Sequence, residues 1–186
     1  MCIRDSVLGV FGDRCFEVVD DNFYFIEAER YDLDTVLKEG AELVKRKGIK
    51  CLVIDPYNKV KMKGASDMSI PDATMEYLAR IEAFAKKYDV LVTVVAHPTK
   101  MYKRDDGTMD EPTMYNIKGG GEWYDASYHG LLVHRDYTNN SVKVKVLKVK
   151  FQNLGENQAE AHFKWNHASG DYMPLADISN ESLPWD

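Results

Sequence analysis

Two nearly continuous apolar runs lie near the middle of the chain: I-K-C-L-V-I at 49–54 and V-L-V-T-V-V-A at 90–96. Runs of this length without alternation mark strands buried on both faces of a parallel sheet. Each stops at a polar residue followed by proline, Asp55-Pro56 and His97-Pro98. Between them Met75, Leu78, Ile81 and Ala85 recur at helical spacing, and Pro71 suits a first helical turn, which predicts a helix reaching about Tyr88. Upstream, Val36, Leu37, Ala41 and Val44 predict an earlier helix, capped by Asp32 or Asp34, running to about Lys47 and stopped by Gly48. The short aromatic segment N-F-Y-F-I-E at 22–27 reads as a further strand. Strand, helix, strand, helix, strand is the βαβ repeat, so the expected class is α/β with a mainly parallel sheet flanked by helices.

Beyond His97 the pattern changes. Residues 57–70, before the second predicted helix, are polar and read as a loop, and 98–121 form a charged, glycine-bearing loop too long for a mere connection. Three segments at 131–134, 142–151 and 159–165, with turn residues at 138–140 and 155–157, predict an antiparallel meander at the C-terminal side. In the second of these, Lys143 and Lys145 alternate with Val142, Val144 and Val146, and the alternation breaks at Leu147, where a bulge could re-aim Lys148 and Lys150. The expected organisation is one domain over 7–174. Residues 1–6 fit neither pattern and read as a non-native leader, and 175–186 lack periodicity and read as a loose tail.

Composition narrows the class. At 45% hydrophobic and 29% charged, the 186 residues exclude a disordered or low-complexity chain. No apolar run reaches the roughly 18 residues of a membrane span, so no membrane partner is expected, and the absence of a basic-then-apolar leader predicts a cytoplasmic location. Cys2, Cys15 and Cys51 form neither a C-x-x-C pair nor an even set, which speaks against structural zinc and disulfides. The net charge of −6 argues against coating nucleic acid through bulk charge, yet it is segregated. Residues 1–35 hold nine acids against three bases and 151–186 six against one, leaving 36–150 with 20 bases and 15 acids. An anionic partner is therefore expected at the central segment.

In open parallel sheets ligands bind beyond the carboxyl ends of the strands, where Asp55 and His97 fall. A carboxylate there can hold Mg²⁺ through water, although Asp before Pro is also an ordinary turn former. Direct metal binding by Asp55, His97 and either His129 or His134 would define a metal-dependent hydrolase, but these histidines lack the close spacing of metal motifs. Gly119, Gly120 and Gly121 do not match a phosphate-binding glycine loop and read as a flexible hinge. Trp123, Tyr124, Tyr128 and Trp165 could stack bases but are read first as core, Trp165 above all.

The ordered set Asp55-Pro-Tyr-Asn58, His97-Pro-Thr-Lys100, Lys118-Gly-Gly-Gly-Glu-Trp123, Leu132-Val-His-Arg135 and Leu147-Lys-Val-Lys150 resembles the motor domain of RecA-like hexameric replicative DNA helicases of superfamily 4. These are the DnaB, Twinkle and phage primase-helicase type, and the resemblance covers about 22–174. It implies a RecA-like P-loop NTPase core with ATP and Mg²⁺ as cofactors. Asp55 then falls at the Walker B position, holding Mg²⁺ through water with Asn58 beside the nucleotide, and His97 where a polar residue senses the γ-phosphate. Residues 98–121 fall at the DNA-binding loop, with Lys100, Lys103, Arg104 and Lys118 as contacts to single-stranded DNA. The acids Asp105, Asp106, Asp110 and Glu111 leave open a simple solvated loop. Arg135, Lys148 and Lys150 fall near the γ-phosphate. Lys150 takes the place of the arginine finger, as a point charge rather than a planar fork.

No G-x-x-x-x-G-K-[ST] occurs in the 186 residues. The resemblance therefore implies the C-terminal portion of a motor domain, incomplete at its N-terminus, without Walker A or catalytic glutamate and inactive alone. By the resemblance, the intact protein would be a ring-forming, ATP-hydrolysing helicase, a homo-oligomer and by family pattern a hexamer, with a primase domain or partner. A RepA-like or recombinase-type ATPase, and a non-catalytic DNA-binding or assembly module, remain alternatives.

Overall fold

The computed structural model describes residues 22–99, 110–136, 139–166, 168 and 170–175. They fall into two compact units, 22–128 and the segment from His129 onward.

In the first unit, helix α1 (Leu33–Lys47) begins where the Asp32 side chain accepts a hydrogen bond from Thr35 N and ends at Gly48, whose φ of 67° is left-handed. Both signals are as predicted, and Lys45, Arg46 and Lys47 complement the helix dipole in the last turn. Strand β1 (Cys51–Ile54) follows, then helix α2 (Ile70–Tyr88), capped by Ser69 with proline in its first turn, and strand β2 (Leu91–Val94). The strands pair in parallel, Cys51 opposite Leu91 and Ile54 opposite Val94. This is the expected βαβ unit, with a parallel sheet of two strands among the described residues.

Both helices supply the core. Ala41, Leu52, Phe84 and Val90 are buried together, with Ile26, Leu37, Val44, Tyr88 and Val92 packed around them. At Gly40 a Cβ would come within 3.2 Å of the Leu52 side chain and 3.3 Å of the Phe84 ring, so α1 packs tightly on both and a larger residue would need them to give by a few tenths of an ångström.

Three expectations need correction. Among the described residues the strands are covered on one face only: Leu52 (5% exposed) and Ile54 (3%) are buried, while Val53 (56%) and Leu91 face outward. An unbroken apolar run cannot distinguish a strand covered once from one covered twice. In α2 the buried stripe is Thr74, Tyr77, Leu78, Ile81 and Phe84, with Met75 exposed. The stripe is rotated because two aromatic rings take the inward positions. Residues 22–27 form no strand, since no described segment pairs with them. Phe23 and Phe25 are exposed there, and Tyr24 lies under the Lys47 ammonium at 5.4 Å.

The second unit is an antiparallel sheet, β3 (His129–Asp136), β4 (Ser141–Val149), β5 (Glu160–Asn166) and β6 (Asp171–Pro174), in that spatial order. The first three are the expected meander. The fourth, not anticipated, pairs Trp165 with Tyr172 and brings their rings to 4.8 Å, so Trp165 is half-buried against a neighbouring strand rather than deep in a core. Residue Leu175, expected in the loose tail, donates its N–H to His162 O at 2.9 Å, while 1–6 and 176–186 lie outside the described residues.

Candidate functional site

The parallel register sets the site. Val95 N donates to Ile54 O (2.8 Å) just past the strand pair, and Tyr57 N donates to Val95 O (2.9 Å). Asp55 and His97 therefore leave the sheet at one carboxyl edge, on neighbouring strands, and both are exposed. Asn58 is exposed in the short turn Tyr57–Lys59 that follows Asp55.

The far end of the loop is sewn to this edge. Pro98 bridges Ile117, and Asn116 O accepts from Thr99 N (2.7 Å) and Thr99 Oγ1 (2.9 Å). The Asn116 carboxamide oxygen accepts from Thr113 N (2.8 Å) and Thr113 Oγ1 (2.9 Å), closing the turn Met114–Asn116. The main-chain oxygen of Lys118 accepts twice, from Tyr57 Oη at 3.2 Å and from Trp123 Nε1 at 3.0 Å.

Gly119 has φ of 101°, and a Cβ on it would lie 2.4 Å from Thr74 Oγ1. The first of the three glycines thus marks a close approach to α2, and helix α3 (Gly121–Ala126) starts at the third. This corrects the reading of a flexible hinge. The Thr74 hydroxyl that faces Gly119 is itself bonded to Ile70 O at 2.8 Å, so it is held where it stands.

Aromatic rings fill the space behind. Tyr57 packs edge-on against Trp123 (4.8 Å) and Tyr77 (5.8 Å). Trp123 is core, as expected. Tyr124 stacks on Tyr115, and Tyr128 Oη donates to Glu82 at 2.9 Å. Burial raises the pKa of Tyr57, and burial followed by the neighbouring Tyr57 raises that of Tyr77 well above the usual phenol value. Both stay neutral donors. The Tyr77 hydroxyl is buried and has no hydrogen-bond partner among the described residues. Tyr57, Thr74 and Trp123 make the contacts that hold the loop limb at this edge, and the motif reading assigned them no part in it. Their signal in the sequence is faint: an aromatic two residues past a strand-ending carboxylate.

Among the other predicted contacts, Lys118 is exposed and engaged through its carbonyl, while Lys100, Lys103 and Arg104 lie outside the described residues. Arg135, Lys148 and Lys150 belong to the second unit. The pairing of β3 with β4 slips between Gly130 and Leu131, so that Gly130 faces Lys148 and Leu131 faces Val146. Leu147 is the extra residue, a bulge at the predicted place. It returns Lys148 to the face of Lys145 and Lys143, which simple alternation would have denied it. That face is not plain solvent: Lys145 Nζ lies 2.9 Å and Lys143 Nζ 3.8 Å from Glu160 on β5. The opposite, apolar face is only partly covered, with Val142 buried but Leu131 and Val133 each 66% exposed.

The chemistry available at the strand ends is that of a hard anionic oxygen. One exposed carboxylate, Asp55, suits Mg²⁺ held largely through water. Among the described residues no three His, Cys, Asp or Glu side chains converge as a metal cage, which gives the direct-metal alternative no support. No described helix is long and apolar enough to cross a membrane.

No family model matches the chain. In structure it is similar to a DnaB-like replicative helicase solved in a study of its interactions with primase, at a TM-score of 0.63 and 13% identity over 81% of this chain and 36% of that one. The fold is thus RecA-like, of the DnaB helicase type. In sequence it is similar to the Twinkle homolog protein, chloroplastic/mitochondrial, of Arabidopsis thaliana: 29% identical over 162 residues, 83% of this chain. The two findings agree with the resemblance to a DnaB/Twinkle-type helicase domain that the motifs carried. The chain spans 22% of the length of that curated relative.

Proposed function

We propose that the chain supplies the Walker B half of a RecA-like motor in a ring-forming replicative DNA helicase, with the phosphate cradle provided by a Walker A segment that these 186 residues do not contain. The observation that carries this reading is the placement of Asp55 and His97 on one sheet edge, in the order that the resemblance to the helicase motifs implies. In it, Asp55 holds the Mg²⁺ of MgATP through water, Asn58 orients beside the nucleotide, and His97 hydrogen-bonds near the γ-phosphate. Bound Mg²⁺ neutralises charge developing on the phosphates. Lys100, Lys103, Arg104 and Lys118 contact the phosphates of single-stranded DNA. Arg135, Lys148 and Lys150 act near the γ-phosphate, Lys150 toward a neighbouring subunit of a hexameric ring. A primase, fused or separate, is the expected partner.

The test is hydrolysis by the full-length protein. Mg²⁺-dependent ATPase activity stimulated by single-stranded DNA is expected, and Asp55→Asn should lower kcat by about 10- to 100-fold, the usual cost of losing an outer-shell metal partner, with DNA binding retained. An ATPase indifferent to Asp55→Asn overturns the reading. So does an upstream sequence lacking G-x-x-x-x-G-K-[ST] within about 100 residues.

A further inference from the structure

The main-chain oxygen of Lys118 is the point where three separate parts of the first unit meet. Tyr57 reaches it from the end of β1, two residues past Asp55. Trp123 reaches it from α3. The backbone of Tyr57 is meanwhile bound to Val95, two residues before His97. One residue therefore ties the carboxyl ends of both strands, through its backbone, to the return limb of the 98–121 loop, through its hydroxyl. We propose that Tyr57 is a positioning residue that relays the state of the Asp55 and His97 edge to the loop, through the hydrogen bond from its hydroxyl to Lys118 O.

Three observations support a relay rather than a passive brace. The bond joins residues 61 apart in sequence, so it is tertiary and can be broken without unravelling a helix or strand. The loop limb it holds has little freedom to absorb a displacement, because Gly119 is pressed against Thr74 and Asn116 is bound to Thr99 on the same side. A shift of Tyr57 is then passed on to Lys118. Finally, Tyr77 Oη, in the ring cluster against Tyr57, is buried without a described partner. An orphaned donor favours any second arrangement of the cluster that pairs it, and two discrete arrangements are the physical requirement for coupling.

This inference rests on the proposed helicase reading, and the experiment separates the two. In the full-length protein the ratio of ATPase rate with saturating single-stranded DNA to the rate without it is measured for the parent, Tyr57→Phe and Trp123→Phe. Tyr57→Phe keeps the ring and its edge-on contacts and removes only the hydroxyl. The expected result is a ratio reduced by about fivefold or more in Tyr57→Phe, the size of one hydrogen bond's contribution, with KM for ATP unchanged. Trp123→Phe, which removes the other donor to the same oxygen, should lower the ratio in the same direction. If both variants keep the parental ratio, or lose basal and stimulated rates in equal proportion, the relay is overturned and the helicase reading stands. If the parent shows no stimulation by DNA, the helicase reading fails and takes the relay with it.

Discussion

Gly119 and Thr74 stand so close that no side chain fits between them: a Cβ on the glycine would lie 2.4 Å from the threonine Oγ1 and 2.9 Å from its Cγ2. With φ of 101°, Gly119 also occupies backbone space that L-residues avoid. Gly119→Ala should therefore destabilise the chain by about 1–3 kcal/mol, the range for a strained backbone position, measured by urea unfolding. Adding Thr74→Ala removes the two shortest contacts but leaves the φ strain, so the double variant should recover part of the loss. Additive losses in the double variant would show that the contact is not the cause.

The one-sided burial of β1 predicts a contrast between adjacent residues. Leu52→Ala opens a cavity beside Ala41, Phe84 and Val90 and should cost about 2–5 kcal/mol. Val53→Ala, on the outward face, should cost less than about 1 kcal/mol. Equal losses in chemical denaturation would mean that both faces of the strand are covered.

The cap of α1 titrates. The hydrogen bond from Thr35 N, together with Lys63 nearby, lowers the pKa of Asp32 against a smaller opposing effect of burial. Because the folded value lies below the unfolded one, the unfolded chain binds the proton more readily. The contribution of this cap is present above the ordinary carboxylate pKa near 4 and fades as pH falls through the lower folded value. Asp32→Asn keeps a capping oxygen without the titration. Between pH 5 and the acid limit of folding, the parent should lose more stability than Asp32→Asn, a difference read from denaturation midpoints at each pH.

Glu160 draws together Lys143, Lys145 and His162 on one face of the antiparallel sheet. Lys145 is the best placed, at 2.9 Å and with its side chain 16% exposed. Glu160→Gln should lower stability by about 0.5–1 kcal/mol at low salt, and the difference should shrink at 1 M NaCl, where charges are screened within a few ångströms. A loss that does not depend on salt would point to packing rather than charge.

Local rules account for much of what was legible in the sequence. Asp32 and Gly48 delimit their helix by hydrogen bonds within a few residues, Pro71 suits the first turn of the next through its fixed φ, and the break in alternation at Leu147 located a bulge before any partner strand was known. The motif order, too, is a property of the chain itself, and it led to the helicase resemblance. What the sequence could not supply is whatever depends on a partner distant along the chain. Residues 22–27 have every local feature of a strand and are none, because a strand exists only when another pairs with it. The apolar runs at β1 and β2 do not state how many faces are covered. The three glycines read as freedom, whereas packing against Thr74 makes Gly119 a point of contact. Periodicity and capping are short-range and determined the elements, their order and the edge at which Asp55 and His97 emerge. The joining of that edge to Lys118 through Tyr57 is a contact across 61 residues, which only the tertiary structure could decide.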